Sequence, residues 1–287
     1  MTSTAQPTKS PTVGAAADHS PCDCHFHVFK ACESVDAARY VPSYTSTLVD
    51  WQADAARVDV TRGVVVQPSF LGTDNRLLLA TLAACTDDLR GVAVVSESVS
   101  ESELRNLHAN GVRGIRLNLM GCADDERTIR ELPSLWWSGL IAAGLHLELH
   151  SDIGRIAALL PRVPSDITVV LDHFAKPQTA VLADATVAAV RGREHAGSTT
   201  YVTLSGAYRQ GAADTLAPST KCKALATIWL DVLGRERLLW GSDWPCTNYE
   251  SEADYASLRE QLASWLPDHG DQNATLSTNP DRLYWRK

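Results

Sequence analysis

Short apolar runs recur along the chain, and most are followed by a longer stretch whose apolar residues repeat with helical spacing. Several runs are continuous series of Val, Leu or Ile bounded by Gly, Pro or Asp, as strands buried on both faces of a parallel sheet are. We therefore predict eight strands. They cover residues 22–29, 62–67, 91–95, 112–118, 145–150, 167–171, 201–205 and 238–243.

The intervening stretches predict helices at residues 46–58, 74–85, 100–110, 126–143 with a break near Pro133, 154–160, 183–193, 224–233 and 253–266. Strands that alternate with helices in this way indicate an α/β protein, and eight such units suit a single (β/α)8 TIM barrel over residues 21–287. A doubly wound open sheet is the alternative. It is disfavoured because no Gly-rich phosphate loop follows any of the strands.

Composition narrows the class of protein further. Residues 1–20 are rich in Thr, Ser, Pro and Ala and lack the pattern of a secretory signal, so we predict a disordered tail there. The formal charge of −8 argues against a broad nucleic-acid surface, and no apolar run has the length needed to span a bilayer. The seven cysteines form no paired clusters, so we expect reduced thiols and a cytoplasmic location.

Two histidines lie two residues apart in the first predicted strand. Because side chains alternate along a strand, His25 and His27 should point to the same face. Two imidazoles on one face form half of a metal site or half of an acid–base pair. Taken alone, the pair is equally compatible with one buried and one exposed histidine.

Matching polar residues follow other strands, and in a barrel these positions converge on one mouth. They are His25, His27, Gln67, Ser69, Arg116, Asn118, His150, Asp172, His173, Ser205, Arg209 and Asp243. Packing explains this set poorly, because an unpaired polar group in a barrel core is costly. Individual members keep simpler alternatives: His150 could lie on the surface, His173 could cap a turn through Asp172, and Asp243 could be a helix N-cap before Pro245.

Four short motifs resemble the amidohydrolase superfamily, in particular its branch of pyrone and sugar-acid lactonases. They are CHFHVF at 24–29, DHFAKP at 172–177, WGSDWP at 240–245 and NPDRLY at 279–284, and the resemblance runs from about Pro21 to the C-terminus. It implies a distorted (β/α)8 barrel that hydrolyses a small, carboxylated lactone. It also implies two departures. Gly121 and Cys122 lie in the region where the family has a further arginine after the fourth strand, so the set of arginines that holds carboxylates is incomplete, and His150 replaces a tyrosine.

The resemblance also implies roles for the candidate residues. Asp243 would take a proton from the attacking water, and His25, His27 and His173 would polarise the lactone carbonyl. Arg116 and Arg209 would hold substrate carboxylates. The remaining strand-end residues, predicted to bind substrate, are Gln67, Ser69, Asn118 and Ser205.

The metal content stays open between two alternatives. His25, His27, His150 and Asp243, with His173 near them, form a nearly complete set for one divalent ion, Zn²⁺ or Mn²⁺. Asn118 replaces the residue that would bridge a second ion, and metal-free catalysis is the other alternative. A sugar-lactone isomerase, a metal-dependent decarboxylase and a non-catalytic ligand-binding barrel are the rival functions, and the sequence leaves the oligomeric state open.

Overall fold

Eight parallel strands follow one another around a barrel in the computed structural model, which describes residues 20–35, 38–151, 154–177, 179–211 and 218–286. Each strand pairs with the next one in the chain. The strands are β1 (Cys22–Phe26), β2 (Arg62–Val66), β3 (Leu89–Ala93), β4 (Val112–Asn118), β5 (His146–His150), β6 (Val169–Leu171), β7 (Thr200–Leu204) and β8 (Leu238–Trp240). The predicted (β/α)8 TIM barrel is confirmed; of the predicted tail, residues 1–19 lie outside the described residues.

A helix follows each of the eight strands, and the helices cover the outside of the barrel. They are α1 (Leu48–Ala56), α2 (Arg76–Ala84), α3 (Glu101–Ala109), α4 (Asp125–Glu131), α5 (Ser134–Ala143), α6 (Ile156–Leu159), α7 (Asp184–His195), α8 (Pro218–Leu233), α9 (Tyr255–Trp265) and α10 (His269–Asn273). Thr47 and Ser100 begin α1 and α3 with reciprocal capping boxes. The helix predicted at 126–143 is two helices, because the segment around Pro133 interrupts it. None of the helices in the described ranges is long and apolar enough to cross a membrane.

The first strand breaks the expected alternation of side chains. Asp23 and Phe26 both face the helices, where Asp23 accepts a hydrogen bond from Trp51 and Phe26 stacks on the same indole. Two residues separate them, and the pairing with β2 shifts register in that interval. Cys24 and His25 therefore both face the barrel interior, as a bulge allows.

A buried carboxylate joins the first and last strands. Asp23 Oδ1 accepts from the backbone N–H groups of His25 and Ser242 at 3.1 and 2.9 Å, and Oδ2 accepts from the Ser242 hydroxyl at 2.6 Å. The side chains of Trp51 and Tyr255 donate to Oδ2 from α1 and α9 at 3.0 and 3.1 Å. We call this contact between β1 and the end of β8 the seam.

The interior of the barrel has two unlike halves. Apolar and weakly polar side chains fill the lower half, which we call the floor: Cys22, Cys24, Val64, Val66, Val92, Val170, Tyr201, Leu239 and Tyr284. Ionisable side chains gather at the carboxyl ends of the strands, which we call the mouth: His25, His27, Arg116, Glu148, His150, Asp172, His173 and Asp243. The ionisable residues therefore lie at the end of the barrel where enzymes of this fold have their active sites.

Candidate active site

A cavity of about 280 Å³ opens at the mouth. Its walls include eight of the residues predicted from the sequence: His27, Ser69, Arg116, Asn118, His150, His173, Arg209 and Asp243. Four further predicted residues, His25, Gln67, Asp172 and Ser205, lie behind these walls, each almost fully buried. The structure therefore gathers the predicted set at one end of the barrel.

Asp243 lies in the turn after β8, with a left-handed backbone (φ 59°). Its Oδ2 accepts a hydrogen bond from the Tyr208 hydroxyl at 2.6 Å and one from Arg209 Nε at 2.8 Å. Its Oδ1 lies 3.3 Å from His27 Nε2. Burial opposes ionisation of this carboxyl, but Arg209, His173 and His27 outweigh it and hold the pKa of Asp243 well below its usual value. Asp243 is therefore a buried carboxylate that stays ionised.

The two histidines of β1 flank this carboxylate. His27 Nδ1 donates to the Val66 carbonyl at 2.7 Å, so Nε2 is the nitrogen that faces Asp243. His25 Nε2 lies 3.8 Å from Asp243 Oδ1, and neither ring nitrogen of His25 has a hydrogen-bond partner in the described part of the chain. Burial and the neighbouring His173 hold the pKa of His25 well below its usual value. His25 is therefore neutral and offers an uncommitted nitrogen to the site.

His173 follows β6 in an unusual turn. All four residues from His173 to Lys176 have positive φ, a conformation that costs energy in non-glycine residues and is concentrated at functional sites. The turn directs Asp172 into the interior, while His173 Nδ1 lies 2.8 Å from the Ser205 hydroxyl. Burial lowers the pKa of His173 to about 4, so this ring is neutral at pH 7.

Arg116 is engaged inside the barrel. Its Nε and Nη2 donate to Asp172 Oδ2 at 3.0 and 2.8 Å, and its Nε lies 3.3 Å from Glu148 Oε1. Burial, reinforced by Asp172, raises the pKa of Glu148 well above its usual value. The Arg116 guanidinium thus neutralises a carboxylate of the protein, an arrangement that the sequence did not indicate.

His150 accepts a hydrogen bond from Arg116. Arg116 Nη2 lies 3.1 Å from His150 Nδ1, and a guanidinium can only donate. Burial, together with His173 and Arg116, holds the pKa of His150 well below its usual value. The neutral ring therefore carries its proton on Nε2 and presents a donor. His150 also belongs to a group with Asp172 and His173 whose donor atoms could hold a metal ion, so its role as a ligand stays a prediction.

Arg209 is also paired within the protein. Besides its bond to Asp243, its Nη2 donates to the Thr247 carbonyl at 3.0 Å. Among the other predicted residues, Gln67 donates to the carbonyls of Gly72 and Asp74 at 3.2 and 2.9 Å and so holds the loop after β2. Ser205 orients His173 instead of reaching the cavity.

The donor atoms at the mouth fit one divalent metal ion. His25, His173 and Asp243 offer ligand atoms that all lie within 4.8 Å of one another. Zinc ligands at about 2.0–2.2 Å in a tetrahedron lie about 3.3–3.6 Å apart, and Asp243 Oδ1 lies 3.3 and 3.8 Å from His27 Nε2 and His25 Nε2. The unpartnered Nε2 of His25, which faces Asp243, is an atom that such an ion would satisfy.

Sequence reasoning missed several wall residues. Tyr208, which hydrogen-bonds Asp243, and the cavity residues Arg39, Tyr40 and Lys176 lie in loops after the strands. Their positions depend on loop conformation, for which periodicity gives no signal. The sequence offered one hint, since Tyr208 immediately precedes the predicted Arg209.

An ionised aspartate beside the neutral rings of His25 and His173, at the mouth of a (β/α)8 barrel, defines the active site of a hydrolase-type barrel enzyme. The chain belongs to the amidohydrolase family, whose family model matches residues 22–286. Among curated relatives, the chain is 29% identical to a 2-pyrone-4,6-dicarboxylate hydrolase of Comamonas testosteroni, over 92% of this chain and 89% of that protein. It is 26% identical to a 4-sulfomuconolactone hydrolase of Rhizobium radiobacter, over 96% of this chain and 93% of that protein.

A solved structure agrees with these relatives. A crystal structure from Pseudomonas putida, assigned as a 2-pyrone-4,6-dicarboxylic acid hydrolase, is 31% identical and superposes with a TM-score of 0.80. The alignment covers 92% of this chain and 97% of that one. The resemblance inferred from the four motifs is confirmed.

Proposed function

We propose that the protein hydrolyses the ring ester of a small carboxylated lactone, with Asp243 as the general base. The observation that carries the proposal is a buried carboxylate, Asp243, that remains ionised beside the neutral rings of His25 and His173. The related lactone hydrolases, which align over most of the chain, support the reaction class. Its seven cysteines are free thiols, which supports a cytoplasmic location.

In the proposed reaction, Asp243 removes a proton from water as the water oxygen attacks the lactone carbonyl carbon. The tetrahedral intermediate carries the negative charge on the former carbonyl oxygen. It collapses by breaking the ring C–O bond, and the departing oxygen takes up the proton from Asp243. Arg209 and Tyr208 hold the carboxylate in place throughout, since both donate to its Oδ2.

The histidines stabilise the developing oxyanion. If the Ser205 hydroxyl donates to His173 Nδ1, the proton of the neutral His173 ring lies on Nε2, at the cavity wall. His150 presents its Nε2 proton for the reason given above. N–H donors that are fixed before the reaction stabilise an oxyanion without reorganisation.

A divalent ion, when bound, would be held by His25, His173 and Asp243, with His27 beside them, and would supply Lewis-acid polarisation of the carbonyl. The donation from His27 Nδ1 to Val66 leaves Nε2 available for such an ion or for a proton. Metal-dependent and metal-free catalysis therefore use the same residues.

The test is ring opening across a panel of carboxylated lactones, repeated on chelator-treated enzyme and after addition of Zn²⁺ or Mn²⁺. Asp243→Asn should lower kcat by about 10²–10⁴-fold, because general-base assistance is lost. Asp74→Asn is the matched control, since Asp74 is an ion-paired carboxylate outside the cavity walls. Full turnover by Asp243→Asn would contradict its assignment as the general base. A product that is an isomeric lactone, formed with no new carboxylic acid, would indicate an isomerase.

A further inference from the structure

Both arginines that were predicted to hold a substrate carboxylate already form an ion pair with a carboxylate of the protein. Arg116 is paired with Asp172 and Arg209 with Asp243, at 2.8 Å in both cases. Each guanidinium therefore balances a carboxylate of the protein. An anionic substrate, which the proposed function requires, would interact more strongly with a cation that is not already paired with a carboxylate.

Arg39 has the properties that these two arginines lack. It lies in the loop between β1 and α1, it lines the mouth cavity, and its side chain is exposed. It forms no hydrogen bond or ion pair with any residue in the described ranges. Among the described residues that line the cavity, Asp243 is the one carboxylate, and Arg209 already neutralises it. Arg39 therefore adds positive charge that nothing on these walls cancels.

The Arg39 guanidinium also has a defined place. A Cβ atom built on Gly121, in the loop after β4, would lie 3.4 Å from Arg39 Nη1 and 3.8 Å from its Cδ. The side chain thus crosses from one loop of the mouth to lie against another. Gly121 has a φ of +72°, a conformation that favours glycine, so the loop leaves this space open for the guanidinium.

We propose that Arg39 binds the anionic substituent of the lactone and restricts the substrates to ring esters that carry a carboxylate or sulfonate. A guanidinium presents a fork of donors that matches both oxyanions. Arg39 is thus a specificity-determining residue, separate from the Asp243 centre that carries out hydrolysis. The inference rests on the proposed function for the identity of the ring ester, but the binding of the anion can be measured independently.

The first experiment compares wild type, Arg39→Gln and Arg76→Gln. Arg76 is a matched control because it is an exposed arginine near the mouth that does not line the cavity. Calorimetry with pyridine-2,4-dicarboxylate, a planar dianion with no ester to hydrolyse, should show affinity about 10- to 100-fold weaker for Arg39→Gln. Affinity unchanged in Arg39→Gln would overturn the proposal.

Turnover separates charge recognition from a structural role. For a carboxylated lactone, Arg39→Gln should raise KM by about 10- to 100-fold while kcat changes by less than about 3-fold. For the methyl ester of the same lactone, wild type and Arg39→Gln should give equal kcat/KM. Equal losses on the acid and on its ester would mean that Arg39 only supports the loop, and the proposal would be wrong.

A rescue variant tests the position of the charge. Cys122 is exposed and follows Gly121, so Cys122→Arg supplies a guanidinium to the same region from the loop after β4. The double variant Arg39→Gln/Cys122→Arg should recover most of the lost affinity for pyridine-2,4-dicarboxylate. Recovery supports the proposal, and an affinity no better than that of Arg39→Gln counts against it.

These measurements keep the two proposals distinguishable. If wild type binds the dianion through Arg39 but opens no lactone ring, the lactonase function fails and the anion site stands. If wild type hydrolyses carboxylated lactones and Arg39→Gln does so with an unchanged KM, the function stands and the inference about Arg39 fails.

Discussion

The floor and the mouth of the barrel are both buried, but they are stabilised by different interactions. The floor is built from apolar contacts and close packing, and the buried His146 of β5 packs against it, with its ring 5.3 Å from the ring of Tyr284. The mouth is built from charges that neutralise one another, as in the contact between Arg116 and Asp172. Substitutions should therefore destabilise the two halves for different reasons. In the mouth the cause is loss of a counter-charge, and in the floor it is poorer packing or the gain of a buried charge.

Removing the central cation of the mouth should have the largest effect on stability. Arg116→Met keeps much of the side-chain volume but leaves Asp172 and Glu148 without their guanidinium. Breaking a buried ion pair from one side costs about 3–5 kcal/mol, measured as the free energy of unfolding in urea. Arg105→Met, which removes an exposed partner of Glu101, should cost less than about 1 kcal/mol. Equal losses in the two variants would show that the mouth does not depend on charge pairing.

Lowering the pH should have the second-largest effect on stability, through the buried His146 that packs against the floor. Burial, with a smaller contribution from Arg113, lowers the pKa of His146 to about 3, whereas an unfolded histidine titrates near 6.5. Below pH 6.5 the unfolded chain binds a proton that the folded protein refuses, so the stability that His146 contributes falls as the pH drops towards 3.

The corresponding variant is His146→Asn. Between pH 6 and pH 4 it should lose about 2.5 kcal/mol less free energy of unfolding than wild type does. His269→Asn, which replaces an exposed histidine, is the matched control. Parallel curves for His146→Asn and wild type would show that the folded protein protonates His146.

Overpacking the floor should give the smallest of the three effects. A Cβ on Gly114 would lie only 2.2 Å from His146 Nε2, so Gly114→Ala forces the ring or the strand to move. We expect a loss of about 1–3 kcal/mol in the free energy of unfolding. Gly192→Ala is the control, because no atom lies within 4 Å of its Cβ, and in the interior of α7 it should stabilise by roughly 0.5–1 kcal/mol. An unchanged free energy of unfolding in Gly114→Ala would mean that the floor has space for an added methyl group.

Much of the fold was predictable because it follows from short-range periodicity. Each predicted strand overlaps an observed one, since apolar runs between turn residues have few alternatives. Helix ends were predicted less well. For example, α8 begins at Pro218 although the apolar pattern suggested residue 224. The register shift in β1 could not be predicted from the sequence, because the bulge depends on what Asp23 and Phe26 contact on other elements.

The candidate site was predictable as a set of residues but not as a set of interactions. Strand-end positions identified Asp243 and the histidines, because topology alone brings those positions together. Sequence reasoning gave Arg116 and Arg209 the task of binding substrate, and it could not show that each lies against a carboxylate from a distant strand. It also gave no weight to Arg39, whose place depends on the path of a loop.

The seam has a consequence for how the protein loses activity. Asp23 holds together the backbones of His25 and Ser242, and Ser242 immediately precedes Asp243, so barrel closure and the geometry of the base share the same hydrogen bonds. Local opening of the first and last strands would separate His25 from Asp243 while the six strands between them kept their neighbours. The protein should therefore become inactive at denaturant concentrations where most of its secondary structure persists. As denaturant is added, activity should be lost before the circular dichroism signal changes.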